Sequence, residues 1–421
     1  MTAETHAPKH AERVEPPPRA GWPKRALLAA TSANTVTVTV CSLVLALLIG
    51  AVLVVLGNDQ VLAEYGYFFA QPGTALADSW RIVVDAYANL FKGAVFDPAA
   101  VSGAVSGTNS WRLVFYPISE TLTYTAPLIF TGLAVALAFR TGLFNIGGQG
   151  QVMFGCIGGA LVGFGLPLPP GLHLIAALLG AAVGGGLIGF IAGVLKARTG
   201  AHEVIVTIML NNIAFWFLQW IITKPGVHNP ARSDAISKDV LGSARLPSLG
   251  GGLRVDLSIV LGVLAAAAVA WLLSRSTTGF KLRAVGLNPD AARTAGMSVG
   301  RAYVLAMSLA GALAGLGGGI IVLGPATHLT GQVAGTVGFD GITVALLGRG
   351  KPWGVVASAV LFGALHAGGN RMQQSSHVAI DLVTVVQAVI VIFIAAPALV
   401  KAIFRLRATR GGLGSALAKG W

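Results

Sequence analysis

The sequence predicts an all-α polytopic membrane protein with about ten transmembrane helices, an inverted internal repeat built on short, discontinuous helices, and both termini inside. Three observations carry that expectation. Only 11% of the 421 residues are charged and 54% are apolar, against about 25% charged in an ordinary soluble domain. Uncharged apolar runs of about twenty residues, enough to cross a bilayer, recur along the chain. Lys and Arg gather at the ends of those runs and on no single face, so the net charge of +13 reads as a device of orientation and calls for no nucleic acid.

Taken in order, residues 1–25 contain the run EPPPRAGWPKR and are expected to form a disordered cytoplasmic tail. The membrane domain follows over 26–402. No charge falls between Ala26 and Asn58; the run exceeds a signal-peptide core of about 7–15 residues, and no convincing cleavage site follows it, so it holds an uncleaved first span. Lys24 and Arg25 place its start inside. Residues 59–120 mix scattered charges with Tyr65, Tyr67, Phe68 and Phe69, and are expected as amphipathic segments on the external surface. Spans are then expected over 121–139, 151–168, 172–195, 204–223, 257–273, 302–323, a short one at 338–347, 354–367 and 382–400. On that topology 20 of the 29 Lys and Arg residues fall inside, which satisfies the positive-inside rule and leaves the basic tail 403–421 in the cytoplasm.

Small residues mark the packing between spans. Gly180 and Gly184, then Gly185, Gly189 and Gly193, repeat at four-residue spacing, as do Gly311, Gly315 and Gly319; each series makes a flat strip on which another backbone can lie. Two further Gly-rich segments adjoin short spans: TGLFNIGGQGQ over 141–151 and TVGFDGITVALLG over 336–348. Each follows a complete span, and those two spans run in opposite directions. Phe144-Asn145 and Phe339-Asp340 therefore fall at corresponding places in two inverted halves, the arrangement that points to a transporter's central site; chance likeness of two Gly-rich turns is the alternative.

The polar residues inside the apolar runs are few. Asn211 and Asn212 lie midway along 204–223 with Thr207 one turn earlier, suited either to interhelical hydrogen bonding or to solute contact. Asn145, Gln149 and Gln151 have glycines beside them that would let a polar solute approach. Asp340 opens the short span, where an ionised carboxylate costs about 2.5–3.5 kcal/mol unless it faces protein or a wet cavity. Phe215, Trp216, Phe217 and Trp220 suit either a stacking surface or an interfacial belt. Catalytic sets are missing. His202-Glu203 opens like a zinc-protease helix, but Val206 stands where the second His is needed. The run ending Gly350-Lys351 has Ala345 and Pro352 where a phosphate loop needs Gly and Ser or Thr. Cys41 and Cys156 sit in apolar runs as packing residues, and no metal or cofactor is implied. His366 and His377 are expected to flank a Gly-rich outer turn. Asp340 and Glu203 are a thin set for an ion-coupled carrier.

The stretch GFKLRAVGLNPDAARTAGMSVGRAY, over 279–303, is a polar interlude between two apolar runs. Asn288 suits an N-cap, Pro289 the first helical position and Asp290 the positive end of the dipole, while Gly296 can close a left-handed cap. About two turns result, too short to span. A capped helix at the inner surface, with small Ala291 and Ala292 and charges from Arg283 and Arg293, has the shape to seat in a groove of a cytoplasmic partner; a solvated loop helix is the alternative.

Four segments in this order and spacing, LAFRTGLFNIGGQGQ, HEVIVTIMLN, GFKLRAVGLNPDAARTAGM and GFDGITVALLGRGKPWG, resemble the permease subunit of bacterial ABC importers for nucleosides, within the branched-chain amino acid and simple-sugar permease superfamily. The resemblance covers residues 121–402; the family usually has Glu where this chain has Gln149. It implies a cell-membrane subunit without ATPase activity of its own, paired with a second, similar permease, a cytoplasmic ABC ATPase and an external substrate-binding lipoprotein. Residues 279–301 would be the coupling loop, with DAARTAG as its helix. Phe144, Asn145, Gln149, Asn211, Asn212, Phe339 and Asp340 would line the solute path. A permease for a simple sugar such as ribose or galactose is the alternative within the superfamily, and an ion-coupled secondary transporter the alternative outside it.

Overall fold

The computed structural model of the chain describes residues 35–376 and 381–405. Among them the regular elements are helices, with three isolated β-bridges in the connecting segments. The expected tail 1–25, the opening of the first apolar run, residues 406–421 and His377 lie outside the described residues. The chain opens with α1 (Thr35–Leu56), a short α2 (Asp59–Tyr65), α3 (Pro72–Ala94) and α4 (Pro98–Val105). Long α5 (Trp111–Arg140) leads into α6 (Gly148–Gly165), α7 (Leu172–Thr199) and α8 (Glu203–Ile221). After a folded connection come α9 (Ser258–Arg275), α10 (Thr277–Leu287) and α11 (Pro289–Thr294). Then follow α12 (Val299–Leu323), α13 (Val337–Leu347), α14 (Pro352–Ser376), α15 (Asp381–Ala395) and α16 (Pro397–Ile403).

Seven of these helices, α1, α5, α7, α8, α9, α12 and α14, are long and apolar enough to cross a membrane among the described residues. That is fewer than the ten spans expected, and each difference has a local cause. Gln149, Gln151 and several glycines dilute α6, α13 is only 11 residues long, and the last run breaks at Pro397 between α15 and α16.

Helix α5 is the central post, with every residue from Thr125 to Ala138 buried. It begins at Trp111, well before the expected start at Thr121, because Ser110 caps it by accepting from the Arg112 N–H and because Pro117 and Pro127 are absorbed within it. Its 30 residues make about 45 Å of helix, longer than the ~30 Å hydrocarbon layer, so one end projects. There Glu120 pairs with Arg254 at 3.1 Å and the Ser119 hydroxyl accepts from the Val255 N–H at 2.8 Å. The connection 224–257 thereby folds over this end of the bundle, and Ile236 bridges to Thr330. Wholly buried His173 anchors it, 2.7 Å from the Ser243 hydroxyl and 3.0 Å from the Val162 carbonyl.

Helices α7 and α12 pack through the two glycine strips. A Cβ on Gly315 would stand 2.9 Å from the Gly185 Cα, and one on Gly311 3.0 Å from the Gly189 Cα, so larger residues would drive the backbones apart. Helix α3 lies against α14, Gly93 beside Gly368 and Arg371, and Tyr87 donates to the Leu47 carbonyl of α1. Helix α14 runs on to Ser376 through Gly368 and Gly369, where an outer turn was expected. Those glycines are packing positions, the second facing the Val383 side chain, and His366 accordingly lies within a helix and not beside a turn.

Candidate functional site

The N-termini of α6 and α13 meet. A Cβ on Gly148 would stand 2.9 Å from the Gly338 carbonyl, and one on Gly338 2.6 Å from the Gly148 carbonyl carbon, so the crossing is open to glycine alone. Each short helix also leans on the long helix that precedes the other: α6 on α12, and α13 on α5. Gln149 clasps the crossing, its Oε1 accepting from the Gly338 N–H at 3.0 Å and its Nε2 donating to the Gly335 carbonyl at 2.6 Å.

The other amides hold the loop before α6. Asn145, wholly buried, donates to Gln151 Oε1 at 2.9 Å, receives from Gln151 Nε2 at 3.2 Å and also accepts from the Gly147 N–H at 3.0 Å. Asn211 reaches across from α8, accepting from the Gly150 N–H at 2.8 Å and donating to the Ile146 carbonyl at 3.0 Å. Buried backbone groups left unpaired cost about 1–3 kcal/mol each, and these side chains satisfy them. Asn145, Gln149, Gln151 and Asn211 are thus brought together, but as a frame. Asn212 is elsewhere: it is exposed on the outer side of α8 and donates back to the Ile208 carbonyl. On the same helix Phe217 stacks on Phe154 at 5.1 Å, while Trp216 and Trp220 are exposed, the latter beneath Lys224.

Three site residues remain presented. Phe144 is 42% exposed and leans on Phe139, and Phe339 is 45% exposed. Asp340, half-buried, accepts from the Thr336 hydroxyl at 2.8 Å and lies within electrostatic reach of His366. His366 in turn packs against the Tyr124 ring, centroids 5.1 Å apart, and the Tyr124 hydroxyl accepts from Asn370 Nδ2 at 2.9 Å. Sequence reasoning missed Tyr124 and Asn370, and placed His366 only beside an outer turn. The four-residue spacing of His366 and Asn370 along one face of α14 was the available signal.

At the opposite end from the folded connection, α11 forms as its residues require. Asn288 Oδ1 accepts from the N–H groups of Asp290 and Ala291, each at 3.0 Å, Pro289 takes the first helical position and Gly296 closes the turn at φ +78°. Asp290 and Arg293 pair at 3.2 Å on the surface. Ala292 is buried against the chain itself and Ala291 points outward, so only one of the two small residues is presented. Arg283 lies on α10, its Nε donating weakly to the Gly279 carbonyl at 3.4 Å. This preceding helix, capped by Ser276 at 2.9 Å, was not expected, and it lifts Leu287, 82% exposed, beside the α11 cap. Gly286 of α10 rests on Gly142, itself at φ +73°, in the loop that carries Asn145.

The family described as branched-chain amino acid transport system, permease component, matches residues 118–395. The guanosine ABC transporter permease protein NupP of Bacillus subtilis is 42% identical over 290 residues, 68% of this chain and 83% of the relative. The nucleoside ABC transporter permease protein NupB of Lactococcus lactis is 37% identical over 66% of this chain and 79% of its own. A glucose ABC transporter permease protein of Haloferax volcanii, TsgB13, is 32% identical over 66% and 76% respectively. No solved structure matches at a significant level.

Proposed function

Because the chain belongs to the permease components of the branched-chain amino acid transport family and is a multi-pass cell-membrane protein, we propose that it forms half of the translocation path of an ATP-driven importer for nucleosides. A second, similar permease supplies the other half, a cytoplasmic ABC ATPase the energy, and an external substrate-binding lipoprotein the solute; no nucleic acid is involved. The observation that carries this reading is the glycine crossing at which the N-termini of α6 and α13 meet, because broken helices meeting within the bundle are what a transporter builds its site from. The crossed packing of α6 on α12 and α13 on α5 supports two inverted halves. The Lys and Arg residues beside α10 to α12 support an inner location for that end, with both termini inside and 59–120 outside.

In this reading Phe144, Phe339 and Asp340 face the solute while Asn145, Gln149 and Asn211 hold the helix ends that present them; Asn212 faces lipid or the second permease. Arg283 and the 288–296 helix meet the ATPase, with Ala291 and Leu287 as the outward contact. Closure of the ATPase on ATP would then rock the two halves of the path against one another.

The test is uptake of labelled guanosine and adenosine by cells carrying the complete importer. Uptake that needs the ATPase and resists excess free ribose or glucose is expected. Inhibition by the free sugar would instead favour a simple-sugar permease, the second reading, which the relative named for glucose transport supports. Uptake driven by an ion gradient without the ATPase would refute both.

A further inference from the structure

We propose that a polar track on facing sides of α5 and α14, made by Tyr124, Asn370 and His366, guides the solute from an outer pocket down to Asp340 and recognises the vicinal hydroxyls of its sugar. The inference rests on the nucleoside reading above and names the residues that would carry it.

The track begins at a cavity of about 290 Å³ lined by Asp97, Asn109, Tyr116 and Arg371. The Arg371–Asp97 ion pair forms one wall. Tyr116, Glu120 and Tyr124 follow at four-residue intervals along one side of α5. One residue before Arg371, Asn370 donates to the Tyr124 hydroxyl, and a turn further down α14 His366 packs on the Tyr124 ring. Asp340 and its Thr336 partner then close the series at the crossing of the two short helices. Tyr124, Asp340, His366 and Asn370 are all half-buried, so none is sealed in the core, and all four lie within helices of the apolar bundle.

A surface of that kind cannot face lipid without cost, because a carboxylate at mid-bilayer alone costs about 2.5–3.5 kcal/mol. On the proposed path it faces water or the solute. The groups left for bonding match a neutral polyhydroxylated ligand. The Tyr124 hydroxyl accepts from Asn370 and keeps its own hydrogen to donate. The His366 ring makes no hydrogen bond among the described residues. Asp340 is bonded through one oxygen only, and a carboxylate can accept from two adjacent hydroxyls. Exposed Phe339 beside it offers an apolar face for a flat base. The amides of the frame have no such capacity, since they are committed to the backbone and to one another.

The experiment uses the complete importer in cells, with guanosine and 2′-deoxyguanosine as competing solutes. Asp340→Asn and His366→Phe should raise the KM for guanosine about tenfold and erase a preference for guanosine over its deoxy analogue, whose KM, with one hydroxyl fewer to lose, rises less. Equal effects on both solutes, or none, would overturn the assignment. To separate a lost path from a misfolded variant, Asn370→Cys in a Cys41→Ser background is treated with a water-soluble thiol reagent. Labelling that guanosine slows is expected, whereas absence of labelling would mean that the strip is sealed against another subunit or lipid. Failure of the unaltered importer to take up any nucleoside would instead refute the nucleoside reading itself.

Discussion

At the scale of the residue, Gln149 is the side chain on which the crossing depends. An amide is a donor and an acceptor at once, and Gln149 uses both ends, on the Gly338 N–H and the Gly335 carbonyl. Gln149→Leu removes both bonds from a site that is 4% exposed and should cost about 2–4 kcal/mol, seen as a fall of several degrees in the melting temperature of the purified importer. Gln149→Glu should behave differently with pH. Ionised, the new side chain turns a second acceptor towards the Gly335 carbonyl; protonated, it donates again, so the deficit should shrink as the pH is lowered. A deficit that does not vary with pH would show that the donor end is idle. The sequence announced this cluster without announcing its use. Polar residues in TGLFNIGGQGQ and at Asn211 need partners in an apolar setting, but nothing in their spacing distinguishes a solute from the main chain. Only the geometry shows that Asn145, Gln149 and Asn211 are taken up by backbone and by Gln151, and that polar side chains with bonding capacity to spare are on α5, α13 and α14.

At the scale of the element, legibility followed the strength of local signals. The α11 cap was legible because Asn288, Pro289 and Gly296 act on their own turn, and the glycine strips of α7 and α12 because their period is that of a helix. The full lengths of α5 and α14 were not. Pro117, Arg112 and Glu120 at one end and Gly368, Gly369 and Arg371 at the other look like ends of spans, and the long-range partners that continue those helices do not show in a linear pattern. One such partner is testable at α4. Burial works against the charged form of Asp97, but the Ala99 N–H and the Arg371 guanidinium outweigh it and hold the carboxyl below its ordinary range. A depressed folded-state pKa adds stability at pH values above the unfolded value, and that stability is lost as the pH falls through the folded one. The docking of α4 should therefore be insensitive to pH from 8 down to about 4 and loosen below, whereas Asp97→Asn should already be loose at pH 7. Hydrogen exchange of the α4 amides, corrected for the intrinsic rate, measures this. Equal protection in the two proteins at neutral pH would remove the pair from the account.

At the scale of the whole molecule, one backbone contact joins the surface formed by α10 and α11 to the crossing. Gly286, at the end of α10, lies against Arg140, Thr141 and Gly142, with the Gly286 Cα 3.2 Å from where a Cβ on Gly142 would sit. The next residues along that loop are Leu143, buried in the core, and Asn145, paired with Gln151, and one turn later Gln149 grips α13. Arg140 adds a second link by donating to the Gly350 carbonyl at 3.2 Å, between α13 and α14. A push on α11 thus meets a continuous, close-packed series ending at Asp340. Spatial continuity does not by itself establish energetic coupling, so the series has to be tested by its response. Gly286→Val places a branched side chain inside contact distance of the Arg140 carbonyl and should force α10 away from the loop. The importer should still assemble and its ATPase still turn over, but nucleoside uptake per ATP hydrolysed should fall at least tenfold. Combining Gly286→Val with Gln149→Leu then decides the route. If the thrust passes through the loop, the second change should do little further harm to coupling once the first is present, a non-additivity expected only of sites in one series. Additive losses would mean that α11 acts on α13 by another way, through Arg140 and Gly350 or through the second permease.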